Sequence, residues 1–148
     1  VIDVRATLKE ELAKLTYTDA NGVERNVNVI LEEELNDGKA RWPTPLIVVR
    51  GMSMRVAPAD IGWNEYKETA DITLSLYVKQ RATDYVPELV RGELSRKIEA
   101  WVQENKEGIN GTTYLKLVSV DDRSWVEAVG TLRRDFTLEV YNATWEGS

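Results

Sequence analysis

The chain has 148 residues, 43% hydrophobic and 30% charged, with a formal net charge of −6 and neither cysteine nor histidine. That length fits one ordinary domain with a single core, and the composition argues against a disordered or membrane-spanning chain. The lack of cysteine excludes disulfides and thiolate metal sites, and the acidic balance disfavours general nucleic-acid binding, which needs positive charge to release counterions from phosphates.

Residues 3–15 read as a helix. Val4, Leu8, Leu12 and Leu15 share one face, charged residues fill the other, and Asp3 suits the N-cap. Asp19-Ala20-Asn21-Gly22 is a turn signal, and Val27, Val29 and Leu31 then alternate as a strand. The triplet Glu32-Glu33-Glu34 reads as a solvated strand end. Carboxylates on a strand alternate faces, so at most Glu32 and Glu34 would converge.

After a second turn at 36–39, Trp42-Pro43-Thr44-Pro45 leads into a strand at 46–50. Its run Leu46, Ile47, Val48 and Val49 is far too short to cross a bilayer but fits a strand buried on both faces. Gly51 marks a bulge or turn. Met52, Met54 and Val56 alternate with Ser53 and Arg55, and residues 57–65 read as an irregular loop holding Ile61 and Trp63. The expectation is a projecting, partner-seeking loop around 50–66.

Ile72, Leu74, Leu76 and Val78 form the clearest alternating strand, within 69–80. Asp84 is a candidate cap for a helix over 86–107, with Pro87 in its first turn and Val90, Leu94, Ile98, Trp101 and Val102 along one face. Glu93 and Lys97 make an i,i+4 pair, and Gly108 suits a left-handed C-terminal residue. Two strands follow, at 112–120 and 126–141, joined by a turn at Asp121-Asp122-Arg123-Ser124. Arg134 interrupts the apolar face made by Leu132, Phe136, Leu138 and Val140. Either it snorkels to water at the core edge or it pairs across a subunit boundary. The prediction is one domain over 1–148, of α+β class. A mainly antiparallel sheet carries two helices on one face, in the order α-β-β-β-β-α-β-β.

This layout resembles the tail-terminator, or tail-completion, proteins of long-tailed bacteriophages. The likeness rests on the leading helix Val4-Arg5-Ala6-Thr7-Leu8 and the proline-led strand Pro45-Leu46-Ile47-Val48-Val49. It rests also on the strand-to-helix passage from Asp71 onward and the closing strand Arg134-Asp135-Phe136-Thr137-Leu138-Glu139-Val140-Tyr141. The resemblance implies a structural virion protein without enzymatic activity or cofactor, assembled in the host cytoplasm. A homo-oligomeric ring, hexameric in the family, would cap the tail tube, stop its polymerisation and present a surface to the head-completion or neck protein. DNA would pass through without specific binding, and no membrane is involved. Other head–tail connector parts and a small peptide-binding α+β module are the alternatives. An enzyme would have to work with carboxylates, Lys, Tyr or Ser, and no pair has a telling spacing.

Tryptophan is enriched where interfaces draw most of their energy. Trp101 fits the helix core, whereas Trp42, Trp63, Trp125 and Trp145 fall in loops, a turn or the tail. With Met52, Met54, Arg55, Ile61 and Arg134, these four make up the expected partner surface. No catalytic, cofactor or metal residue is expected.

Overall fold

The computed structural model describes residues 4–36, 43–58, 66–108, 114–123 and 131–141. It is an α+β fold with a mainly antiparallel sheet and two helices on one face. Helix α1 (Val4–Leu12) leads into a small hairpin of β1 (Thr16–Thr18) and β2 (Glu24–Asn26). Strand β3 (Asn28–Leu31) follows, then a 3-10 turn (Glu32–Asn36), β4 (Leu46–Pro58) and β5 (Tyr66–Lys79). Helix α2 (Pro87–Glu104) and strands β6 (Tyr114–Arg123) and β7 (Thr131–Tyr141) complete the order. Among the described residues the five-stranded sheet runs β3-β4-β5-β7-β6, and only β3 pairs parallel, against β4.

Strand periodicity decides which residues meet the helices. Ile72, Leu74, Leu76 and Val78 alternate onto one face of β5. In register beside them lie Val49 and Ile47 on β4 and Leu138 and Phe136 on β7. Val4, Leu8 and Leu12 of α1, with Val90, Leu94, Ile98, Trp101 and Val102 of α2, close over that face in one buried cluster. Burying each such aliphatic side chain contributes about 1.5–3 kcal/mol. Trp101 is therefore a core residue of its own chain, as its helical spacing predicts. On the opposite face, Ile30, Leu46 and Val48 form a second, smaller cluster with Leu35 and Tyr77, so the run at 46–49 is buried on both sides.

Several local expectations are corrected. The segment around 50–66 is not a loop over most of its described length. β4 continues to Pro58 and pairs with β5 rung by rung from Met52–Ile72 to Pro58–Tyr66. Gly51 sits in a bulge between Val49 and Met52, which lets the alternation restart rather than ending the strand. Residues 59–65 lie outside the described residues. The glutamate triplet belongs to a 3-10 turn, not a strand end, and is folded back onto α1: Arg5 pairs with Glu33, and Lys9 with Glu34 at 2.6 Å. Glu32 accepts the Gly51 backbone N–H at 3.0 Å.

Asp84 does not cap α2. The N-cap is Val86, without a side-chain cap bond, followed by Pro87. The preceding residue is drawn inward instead: Tyr85 is 2% exposed, and its hydroxyl accepts the Lys79 N–H and donates to Thr44 Oγ1, both at 2.8 Å. The backbone carbonyl of Asp84 accepts the Ala20 N–H, tying the β1–β2 hairpin to this corner. Asp121, Asp122 and Arg123 are strand residues opposite Asp135, Arg134 and Arg133, not a turn.

Candidate assembly surface

The expected partner surface divides in two. Trp42, Ile61, Trp63, Trp125 and Trp145 lie outside the described residues. Met52, Met54 and Arg55 lie on β4, opposite Ile72, Ala70 and Thr69 of β5. β3 accompanies β4 only from Leu46 to Val49. Beyond that point the outer edge of β4 faces no strand among the described residues. On its other side, β7 pairs with β5 from Thr69 onward, so among the described residues the rungs Val56–Glu68, Ala57–Lys67 and Pro58–Tyr66 have no third strand beside them. Among the described residues, the end of the β4–β5 hairpin thus presents an open main-chain edge. Such an edge is a template for another strand.

Arg134 has its partners at home. Its Nε and Nη2 donate to the two Asp122 carboxylate oxygens at 2.6 and 3.0 Å, and its Nη1 donates to Ser95 Oγ at 2.9 Å. Asp122 is held below the usual carboxylate range, first by the Arg134 hydrogen bond. Within one chain the guanidinium is thus paired with Asp122 and Ser95.

The helix-free face carries a polar network that sequence reading missed. Asp135, 3% exposed, accepts from Ser75 Oγ and Arg133 Nε, each at 2.8 Å. Arg50 donates to Ser75 Oγ at 3.1 Å and to the Tyr77 hydroxyl. The Arg50 and Arg133 guanidinium carbons lie 6.0 and 5.7 Å from the Tyr77 ring centre, within reach of cation–π attraction. Ser75 is fully buried, so its hydroxyl is closed to any substrate. The network binds β4, β5 and β7 together and is structural. The hint in the sequence is that Arg50, Ser75, Tyr77, Arg133 and Asp135 each fall, within their own strands, on the alternate positions opposite the main apolar face.

A shallow groove of about 270 Å³ lies between the β1–β2 hairpin and the start of α2, lined by Thr18, Asp19, Val86, Leu89, Glu93 and Arg96. Its carboxylates are already engaged. Glu93 accepts from the Thr18 N–H and hydroxyl at 3.3 Å and from Lys97. Asp19 Oδ1 accepts the Asn21 and Val23 N–H groups at 2.9 Å, and its Oδ2 accepts from Arg25 Nε at 2.7 Å. The Arg25 bond is the main reason the Asp19 carboxyl is held low. Among the described residues no three His, Cys, Asp or Glu side chains are grouped to hold a metal, and no helix is long and apolar enough to cross a membrane. No protein-family model matches the chain, and no curated protein sequence matches it.

Proposed function

We propose that this chain is the subunit of a tail-terminator ring in a long-tailed bacteriophage. In this reading copies of the chain close a homo-oligomeric ring on the finished tail tube, stop its growth and offer a surface to the neck protein above. The observation that carries it is the β4–β5 hairpin, whose end has no third strand beside it among the described residues and whose open edge runs along the strand that bears Met52, Met54 and Arg55. A ring needs a contact in which one surface of a subunit meets a different surface of the next. An open hairpin end supplies one half of such a contact without disturbing the core. The net charge of −6 suits a channel through which DNA must slide, because negative walls repel phosphates where basic ones would hold them.

The test is a capping assay with the tail tube protein of the same phage, together with the mass of the chain in solution. The wild-type chain should arrest tube growth at substoichiometric amounts. Replacing residues 57–67 with an Asn-Gly turn closes the hairpin at the Val56–Glu68 rung with a geometry suited to antiparallel strands. That variant should melt like the wild type yet fail to cap. A wild-type chain that leaves tube growth unchanged would sink the terminator reading; a shortened variant that caps normally would acquit the hairpin end.

A further inference from the structure

Strand β6 closes one edge of the sheet: it pairs with β7 on one side and with no strand among the described residues on the other. Three apolar residues on it are exposed, Tyr114 at 42%, Val118 at 51% and Val120 at 40%. Edge strands normally deter partners with charges and bulges, and β6 has both. Lys116, Asp121 and Asp122 are charged, and Val118 has no partner in the register, since Leu117 faces Leu138 and Ser119 faces Thr137.

The bulge changes the phase of the strand. In an uninterrupted strand Lys116 and Asp121 would point to opposite faces, because side chains alternate. With Val118 as an extra residue, Lys116 faces Glu139 and Asp121 faces Asp135, both on the helix-free side. Leu117 and Val120, facing Leu138 and Phe136, both lie on the helix-covered side. About the midpoint between Val118 and Ser119, the strand therefore repeats its faces in reverse, with a cation on one side matched by an anion on the other.

Among the described residues neither charge has an ion pair, although Lys116 faces Glu139 across the ladder. Lys116 is exposed. Asp121 is exposed and lies across from a second carboxylate, Asp135, whose charge Arg133 already meets. Among the described residues, the Asp121 carboxylate accepts only a long side-chain hydrogen bond from Ser119 Oγ, at 3.4 Å.

We propose that β6 pairs antiparallel with β6 of a second copy of this chain, about a two-fold axis between Val118 and Ser119. In that register Lys116 stands opposite Asp121 of the partner subunit, and Leu117 opposite Val120 of the partner subunit, each pair occurring twice. The two sheets become one continuous sheet with all helices on the same side. The charges that repel a foreign strand match a second copy. The contact is isologous, so it differs from the heterologous contacts of a cyclic ring, and it does not depend on the terminator reading.

The experiment is sedimentation of the full chain over a concentration series from micromolar upward. The wild type should dimerise. Lys116→Asp and Asp121→Lys each place like charges opposite one another twice, and each should weaken the dimer by about tenfold or more. The double variant K116D/D121K restores opposite charges and should restore dimerisation. Because the chain has no cysteine, Ser119→Cys gives a second readout: mild oxidation should yield a covalent dimer, whereas Val23→Cys, also exposed, should not. A wild-type monomer at every concentration overturns the proposal. So does a dimer indifferent to the single charge reversals, or a folded double variant that stays monomeric. Cross-linking of Ser119→Cys only to added tube protein would assign the edge to a foreign strand and overturn it as well.

Discussion

Arg134 grips Asp122 directly across the β6–β7 ladder, Nε to Oδ1 at 2.6 Å and Nη2 to Oδ2 at 3.0 Å. This fork explains two features at once. It accounts for a charged residue within the apolar alternation of β7, and it keeps Asp121-Asp122-Arg123, turn-like in composition, within β6. Its third donor reaches Ser95 Oγ, which in turn donates to the Arg91 carbonyl at 2.7 Å, so the fork also fastens α2 to the sheet edge.

The pair predicts an acid-sensitive contribution to stability. The folded-state pKa of Asp122 is lowered, so its contribution is present above the unfolded value of about 3.9. It is lost as pH falls through the lower folded value. Asp122→Asn should therefore lower the melting temperature at pH 7, by a margin that shrinks as pH falls below the unfolded value of about 3.9. The Asp122 side chain is 52% exposed, so solvent screens the pair. A double-mutant cycle with Arg134→Ala should give a coupling of only about 0.5–1 kcal/mol. A destabilisation of Asp122→Asn that persists unchanged to pH 2 would show that shape, not charge, is at stake.

The second prediction concerns α2. Ile98 is fully buried between the helix and the sheet, whereas Glu99 is exposed. Truncating a buried Ile removes its transfer free energy and leaves a cavity, at a cost of about 2–5 kcal/mol. A surface change away from such features stays within about 0.5 kcal/mol. Urea titrations of Ile98→Ala and Glu99→Ala should differ by that margin, and equal midpoints would contradict the packing of α2.

Strands with a strong pattern were legible in the sequence. Ile72, Leu74, Leu76 and Val78 announce both the strand and its core face, and the α2 stripe does the same at helical spacing. The β1–β2 hairpin was not legible as strands. Its six residues offer one buried side chain, Tyr17, and are held by the Asp19 turn, with Gly22 at φ 78°, rather than by an apolar alternation. Asp84 has the look of a cap, but burial of Tyr85 moves the helix start to Val86. The bulges at Gly51 and Val118 were half visible. A glycine hints at the first, while nothing in Leu117-Val118-Ser119 distinguishes the second from regular strand. Of the expected partner surface, Met52, Met54 and Arg55 lie on β4 just before the end of the β4–β5 hairpin, and Arg134 proves to be tied within its own chain. Its fate could not be read from β7 alone, because the phase of β6 that brings Asp122 opposite depends on that second bulge.

The last prediction tests the polar network on the helix-free face. Asp135 is 3% exposed and accepts hydrogen bonds from Ser75 and Arg133. A carboxylate so placed is tolerated because its charge and lone pairs are met; removing it leaves the donors without their acceptor in a dry site. Breaking one side of a buried pair costs about 3–5 kcal/mol. Asp135→Ala should therefore destabilise the fold by about that amount and by far more than Asp121→Ala, whose side chain is exposed. Ser75→Ala removes one hydroxyl from the middle of the network and should cost about 1–2 kcal/mol. Arg133 also stacks near the Tyr77 ring, so Arg133→Lys keeps the charge but loses the planar contact and should fall between the two. Chemical denaturation of the four variants at neutral pH gives the ranking directly. Asp135→Ala as stable as Asp121→Ala would mean that the network is ornamental and that the apolar face alone holds β4, β5 and β7 in register.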